Sequence, residues 1–432
     1  MMTQTIKKLY RLLLLSIVIS SINKVTLGQR VLTLEQCRML AMERNNKLKA
    51  AQENINAANA NKIQQDAGGK PVIDLTATGF YFGKPLNAVV PEYGAGPDVS
   101  VKQPLYSGGR IRLNKASAGK SLEIQEEQKL LTTAEVLYNT EVTYWEAVLA
   151  GEQIRLAEQN KKQLDALYTD LDNQYKAGII YKNDVLRAKV QQDQNELRLT
   201  QAMDALTLTK QNLAQITGLP DGNDFTIADS VAGIFNTVQN NTDIQETFTR
   251  RPEIKILQKS IESEKIAKEI LKADLRPSLN LGLDGLAAWG KQGVNPSNNS
   301  NFLASYYGIL SLNFPIFDGG RKRQKIQEQQ HRIAAQEYQL KERREQVSLE
   351  VQRAYLQLNQ SVKRIELSKS SLEQAEENLR LSYDRLKAGT IVAKDVLDAQ
   401  TIWQQAYSNI IEARVAYRIN EAALRKALGE LK

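Results

Sequence analysis

The chain has 432 residues, of which 25% are charged and 42% hydrophobic, a balance that argues against wholesale disorder. A single His and a single Cys argue against a His/Cys metal centre, a disulfide framework and a Ser-His-Asp triad. Lys and Arg (57) exceed Asp and Glu (49) by eight, but four of those cations fall in a removable leader. With few aromatics and no reading motif, the remaining bias is too weak for a nucleic-acid partner.

Residues 1–28 have the form of a secretory signal peptide. Lys7, Lys8 and Arg11 make a cationic start, and Leu12 to Ile22 is an apolar run too short to span a bilayer. Thr26-Leu27-Gly28 then precedes a cut ahead of Gln29. No later stretch approaches 18 consecutive apolar residues, so no membrane-spanning helix is expected.

The remainder reads as a duplication. Gln103-Pro104-Leu105-Tyr106-Ser107-Gly108-Gly109-Arg110 returns as Phe314-Pro315-Ile316-Phe317-Asp318-Gly319-Gly320-Arg321, shifted by 211. Lys176-Ala177-Gly178 returns as Lys387-Ala388-Gly389, and Asp184-Val185-Leu186 as Asp395-Val396-Leu397, at the same shift. Upstream, Lys49, Lys62, Ala67 and Pro71 match Lys255, Lys268, Ala273 and Pro277 at a shift of 206. Five residues are therefore missing somewhere between Pro71 and Pro104. The expected layout is a first repeat over 29–218, a linker over 219–249 and a second repeat over 250–432.

Within each repeat the periodicity changes in order. A helical stretch (33–68, then 250–275) leads into alternation: Ile73, Leu75, Ala77 and Tyr81 on one face, and Asp74, Thr76 and Thr78 on the other. Leu279, Leu281 and Leu283 alternate likewise with Ser278, Asn280 and Asp284. Turn-rich stretches, Gly83 to Pro97 and Gly290 to Asn301, precede the return through Val99, Val101, Gln103 and Leu105, or through Leu310, Leu312 and Phe314. Each repeat thus predicts one hairpin, over 71–106 and 277–317. After each Gly-Gly-Arg there is no Pro until the next landmark, so 108–178 and 319–389 read as long helices of roughly 105 Å. Ile326, Ile333, Leu340 and Val347, then after a four-residue step Val351, Leu358, Ile365, Leu372, Leu379 and Leu386, keep the seven-residue beat of a coiled coil. Return helices follow over 183–217 and 394–428.

Four strands with an apolar face are too few for a spanning barrel, and open edges in lipid would leave backbone groups unpaired. The sheet therefore predicts assembly of copies, eight strands from two or twelve from three. Phe80, Tyr81, Phe82, Trp289, Tyr306 and Tyr307 near the strand ends have the placement of an aromatic girdle.

Leader, duplication, hairpins between helices and the Gly-Gly-Arg landmark together resemble the TolC-like outer-membrane efflux protein family, over nearly all of 32–432. Leu32-Thr33-Leu34-Glu35 with Asn45-Asn46 resembles its opening helix, and Arg251-Pro252-Glu253 the start of its second half. The strand-to-helix junctions are Pro104, Gly108, Gly109 and Arg110, with Pro315, Gly319, Gly320 and Arg321. The resemblance implies a mainly helical fold, with four strands per chain completing a 12-stranded trimeric β-barrel over an α-helical barrel reaching into the periplasm. It implies a passive outer-membrane exit duct rather than an enzyme, with no cofactor or metal. The implied partners are two further copies, a periplasmic adaptor, an inner-membrane pump and outer-membrane lipid. The helix turns around Lys176, Ala177, Gly178, Lys387, Ala388 and Gly389 would meet the adaptor. Asp395 and Asp398, three apart on one helix face, match the family's acidic constriction. Asp184 and Arg187 are their counterparts, so Arg187–Asp398 or Lys394–Asp184 would form latches. Where the family's pattern has an arginine and a tyrosine at this turn, the chain has Ile391 and Leu386, so a different latch is expected. Apart from the resemblance, Arg110, Arg112, Lys115, Arg321, Lys322, Arg323 and Lys325 gather just past the strands, where they would either meet phospholipid headgroups or form a solvated helix start. The competing readings are a duct for type I protein secretion, or a non-conducting exported coiled-coil scaffold or adhesin.

Overall fold

The computed structural model describes residues 30–89, 91–220, 225–240, 243–291 and 293–431, and the leader expected over 1–28 lies outside them. In chain order the first half gives β1 (Arg30–Leu32), α1 (Leu34–Arg44), α2 (Asn46–Ala67), β2 (Val72–Tyr81), β3 (Tyr93–Ser107), α3 (Arg110–Lys176) and α4 (Lys182–Thr217). The second half gives β4 (Phe225–Ile227), α5 (Ile244–Arg250), α6 (Pro252–Ala273), β5 (Ser278–Gly290), β6 (Phe302–Asn313), α7 (Arg321–Lys387) and α8 (Ala393–Ala427). α3 and α7 are both 67 residues long, about 100 Å each at the helical rise. No helix among the described residues is long and apolar enough to cross a membrane. All ten heptad positions read along α7 are buried or half-buried, so the seven-residue beat is a packing seam.

Two compact units divide the described chain, and each draws on both halves of the sequence. The first comprises residues up to 45, 136–238 and 356–423. Its core gathers Leu32, Cys37, Tyr144, Trp145, Leu213, Phe225 and Trp403. β1 and β4 pair in parallel there, Val31 opposite Thr226, and α1 opens on a capping box between Thr33 and Gln36. Tyr144, fully buried, donates its hydroxyl hydrogen to Asp229 Oδ2 at 2.6 Å. Burial, with Asp229 adding to it, pushes the Cys37 thiol up to about 12, which leaves that residue an inert core hydrophobe.

The second unit comprises 46–135, 239–355 and 424–432 and holds the sheet β2-β3-β5-β6, antiparallel throughout. Val72 pairs with Lys102 and Ser278 with Asn313. Those pairs are related by the two sequence shifts, 206 and 211, so the five extra residues of the second hairpin lie between its strands. β3 begins at Tyr93, inside a stretch that its glycines and prolines mark as loop. Leu105 is the extra residue of a bulge, and Tyr106 stands opposite Leu279 in its place.

Three features differ from the sequence expectation. The opening helix expected over 33–68 is broken at Asn45, and the one expected over 250–275 follows a short helix from which Arg251 separates it, both residues having extended backbone. The linker 219–249 carries β4 and most of α5, and β4 pairs with β1 in a two-stranded sheet apart from the expected four strands. Finally, the hairpins span 72–107 and 278–313.

The breaks have a shared cause. α4 and α8 end in left-handed Gly218 and Gly429. A Cβ there would lie 2.7 Å from Arg44 Cβ and 3.0 Å from Arg250 Cβ, so each helix end abuts one of the breaks. Asn45 Nδ2 donates to Ile216 O at 2.8 Å, and Arg251 Nη1 donates to Ala427 O at 2.8 Å. Each side chain therefore satisfies carbonyls that the terminating helix leaves over. Arg251 is buried and also bonds Glu253 and, at 2.7 Å, Glu350, while Arg343 meets both acids at 3.0 Å. Burial alone would raise the Glu253 carboxyl, but Arg251 and Arg343 hold it below the usual carboxylate range.

Removing Arg251 leaves two acids, one of them buried, to share Arg343 alone. Arg251→Met should therefore destabilise the protein by about 3 kcal/mol at neutral pH. The native depression of Glu253 contributes stability above the unfolded pKa and loses it as pH falls. In the variant the under-compensated carboxyl takes up a proton more readily, so the stability gap between the two proteins should narrow towards pH 4. Thermal unfolding midpoints at the two pH values measure this.

Candidate functional site

The strand register sorts the sheet into two chemically distinct faces. On one, Ile73, Val101, Leu283 and Gly308 form a row across all four strands, and Leu75, Val99, Gly285 and Tyr306 form the next. The outermost rows are Tyr106–Leu279–Leu312 at the helix end and Ala95–Trp289–Phe302 at the loop end. These side chains are bare: Leu75 is 72% exposed, Leu312 71% and Tyr306 89%. From Leu279 to Trp289 is ten residues of strand, ~33 Å, and ~25 Å at the usual barrel tilt, the height of a membrane apolar band. Trp289 and Phe302 stack at 5.0 Å at one end, and Tyr106 stands at the other. Tyr306 and Tyr307 pair with Gly285 and Asp284 in mid-strand rather than at an end.

The opposite face is wet. Asp74, Ser100, Asp284 and Tyr307 form one row, and Thr76, Asp98, Leu286 and Ser305 another. Lys102 bridges to Asp74 at 3.6 Å. The last row before the helices is Ser107–Ser278–Asn313. Among the described residues nothing covers β2 or β6 on either face, since nearly every residue of both is exposed.

Strand becomes helix at the two predicted junctions. Pro104 sits beside the β3 bulge, and Gly108 and Gly109 adopt positive φ immediately before Arg110 opens α3. Gly319 and Gly320 do the same before Arg321 opens α7, where Asp318 caps the helix by accepting from the Gly320 and Lys322 amides. Phe314, Ile316 and Phe317, flanking Pro315, are 60%, 90% and 90% exposed. The basic residues here divide between a cavity, an ion pair and open helix surface. Arg110, Arg321, Lys322 and Lys325 line a cavity of about 370 Å³ together with Ser107, Ser278 and Asn313 of the wet face, and Lys115 pairs with Asp66 at 3.2 Å.

The two helix turns belong to one unit and share a core. Leu164, Leu167 and Leu171 of α3 pack with Val185 and Ala188 of α4 and with Ala393, Val396 and Leu397 of α8. Gly178 (φ 75°) and Gly389 (φ 69°) take the left-handed conformation that a side chain would strain. Ile179 N–H reaches back to Gln174 O, and Thr390 N–H to Arg385 O, closing both helices the same way. Lys176 pairs with Asp172 at 2.7 Å, Lys387 ends α7 with no ion pair among the described residues, and Ala177 and Ala388 lie in the turns.

Asp395 and Asp398 lie exposed on one face of α8, with Val396, Leu397 and Ala399 buried behind them. Neither expected latch forms. Lys394 bonds Asp398 on its own helix at 2.6 Å, which raises the lysine's pKa, and Asp184 and Arg187 make no ion pair among the described residues. Asp395 instead accepts weakly from the Val392 amide at 3.4 Å. Ile391 and Leu386, the two departures from the family's pattern, pack against the shared core.

A buried amide cluster escaped the sequence reading. Asn160 Nδ2 donates to Asn195 Oδ1 at 2.8 Å, Asn195 to Ala157 O at 2.9 Å, and Gln400 Nε2 to Asn160 Oδ1 at 2.6 Å. Gln404 and Arg198 extend it, and Tyr383 donates to Gln400 at 3.4 Å. Asn160, Asn195 and Gln400 are no more than 3% exposed, so α3, α4 and α8 are keyed together by satisfied polar groups. The available signal is Asn160 midway between Leu156 and Leu164 in an otherwise apolar i, i+4 stripe.

A model described as outer membrane efflux protein matches residues 38–219 and 244–430. Alkaline protease secretion protein AprF of Pseudomonas aeruginosa is 22% identical over 341 residues, 77% of this chain and 69% of the relative. Outer membrane protein TolC of Salmonella enteritidis is 23% identical over 381 residues, 79% of this chain and 75% of the relative. Among solved structures, the CmeC outer membrane channel of Campylobacter jejuni superposes with a TM-score of 0.79 at 17% identity, covering 92% of this chain and 85% of that one.

The lysine–acid pairing gives a test in planar bilayers. Lys394→Ala frees the Asp398 carboxylate and should strengthen block of the current by divalent cations several-fold. Asp395→Ala with Asp398→Ala should weaken it. Unchanged block in both would remove this acid pair from the ion path.

Proposed function

Because the chain belongs to the outer membrane efflux protein family, we propose that three copies close their sheets into one twelve-stranded barrel and serve as the exit duct of a tripartite efflux pump. The protein is a TolC-like outer-membrane channel with its helices in the periplasm, and it is not an enzyme. The family's channels are trimeric. In the proposed duct small molecules pass passively from periplasm to exterior. The turns at Lys176–Gly178 and Lys387–Gly389 receive the adaptor, behind which stands an inner-membrane pump. The acids Asp395 and Asp398 line the constriction near those turns, with Asp184 and Arg187 on the neighbouring helix.

The observation that carries this reading is the sheet itself: four strands, two unpaired edges, one apolar face and one polar face. A lone four-stranded sheet in hydrocarbon would lose several kcal/mol at each unpaired edge group, whereas edge-to-edge closure of copies removes the edges.

The duplication also specifies how the edges meet. Inside the chain β3 pairs with β5, Ser100 opposite Asp284 and Gln103 opposite Leu281. Applying the two sequence shifts turns those pairs into Ser311 opposite Thr78 and Phe314 opposite Leu75 of the next copy. Across the bulge, Tyr106–Leu279 becomes Phe317–Ile73. Each pair between copies sets apolar against apolar or polar against polar, and the bare Phe314 and Phe317 gain a neighbouring strand.

The name of the Pseudomonas relative favours a second reading, an exit duct for secreted protein. The two separate by the inner-membrane transporter that crosslinks to the helix turns.

Ser311→Cys combined with Thr78→Cys should give, on mild oxidation, disulfide-linked species of more than one chain. Ser311→Cys with Asp74→Cys, four residues out of register, should give few or none. Equal linkage in both pairs, or none in either, would contradict this closure.

A further inference from the structure

Resting on the wet face as the duct lumen, we propose that the cavity at the strand–helix junction is an oxyanion-binding site for solutes in transit that carry phosphate or carboxylate groups. Its strand-side lining is Ser107, Ser278 and Asn313, the last row of the wet face, so the cavity opens on the polar side of the sheet and away from the apolar one. Its volume, about 370 Å³, suits a small anion or the charged end of a larger one.

The charge around it is one-sided. Arg110, Arg276, Arg321, Lys322 and Lys325 line the cavity against a single acid, Asp274. That acid is already engaged: Arg110 meets its carboxylate at 3.4 Å and Lys322 Nζ donates to its backbone oxygen at 2.7 Å. Arg276 is steered inward by donating Nη1 to Gly108 O at 3.0 Å. Arg321 and Lys325 bind no acceptor among the described residues, and nearby Asp318 is spent on capping α7.

Holding these cations together costs stability in the empty protein. They repel one another, and Arg321, Lys322 and Lys325 crowd the positive end of α7, whose first turn holds no acid. An entering oxyanion relieves both penalties and is met by guanidinium forks suited to carboxylate and phosphate. In a closed ring of copies the pocket recurs in each, forming a basic collar just below the acids Asp74, Asp98 and Asp284 of the same face.

The test uses the reconstituted full-length assembly with pyrophosphate as the probe. Arg321→Gln with Lys325→Gln removes the two cations that hold no protein partner, so folding is spared. Pyrophosphate should reduce the wild-type bilayer current in a voltage-dependent way, and the double variant should need at least tenfold more of it for half-block. Broadening of the pyrophosphate phosphorus resonance by detergent-solubilised wild-type protein, lost in the variant, reports the same site without requiring conduction. Conductance without block, or block unchanged in the variant, overturns the site while leaving the duct intact. Absence of any conductance removes the duct reading instead, and the proposal with it. Phosphatidylglycerol in nanodiscs should not compete with pyrophosphate; competition would assign the cavity to lipid and overturn the solute reading.

Discussion

Along β2 and along β6, backbone N–H and C=O groups point sideways with no strand among the described residues to receive them. Their neighbours β3 and β5 are paired on both sides, so the deficit is confined to the two edges. Backbone groups left in that state tolerate water or another strand, but not hydrocarbon. The apolar rows between Leu279 and Trp289 rule out water as the general solution, because they leave large side chains bare over a membrane-sized height. Closure with other copies satisfies both demands at once, and it turns Asp74, Asp98 and Asp284 inward, where charge is hydrated.

The duplication supplies the parts and then departs from itself where chemistry demands. Helices of equal length, paired Gly-Gly junctions and matching left-handed ends keep the two halves superposable in plan. Yet the same structural task, receiving the end of a return helix, falls to the neutral amide of Asn45 in one half and to the guanidinium of Arg251 in the other. Arg251 requires Glu253 and Glu350 as counter-charges; Asn45 requires none. At the helix turns Ile391 and Leu386 pack on apolar neighbours, and further along the helices the amides of Asn160, Asn195, Gln400 and Gln404 provide the specificity. A few buried polar groups in a helical seam fix register at some cost in stability.

Much of the fold was legible in the sequence because its signals are periodic. Alternation over Ile73–Tyr81 and Ser278–Asp284 exposed the hairpins, and the heptads from Ile326 to Leu386 exposed the coiled coil. Signals that depend on a distant partner were not legible. A polar residue such as Asn45 looks like one more solvated helix position until the carbonyl of Ile216 is seen beside it. β1 and β4, three residues each, are too short to show a period. Leu105 fits the alternation and is nonetheless a bulge, since opposing β5 carries one residue fewer. The Lys394–Asp398 spacing was readable as i, i+4, but the matching charges on α4 suggested a latch between helices instead. For the basic residues past the strands, sequence gives a place at the strand–helix boundary but not the side of the sheet on which they stand.

The central claim, that the edges are completed by identical chains, is tested most directly by native mass spectrometry of the protein released from detergent. The account predicts a species with the mass of three mature chains that persists at low protein concentration. A single chain, stable in detergent-free buffer with its strand content intact, would contradict it.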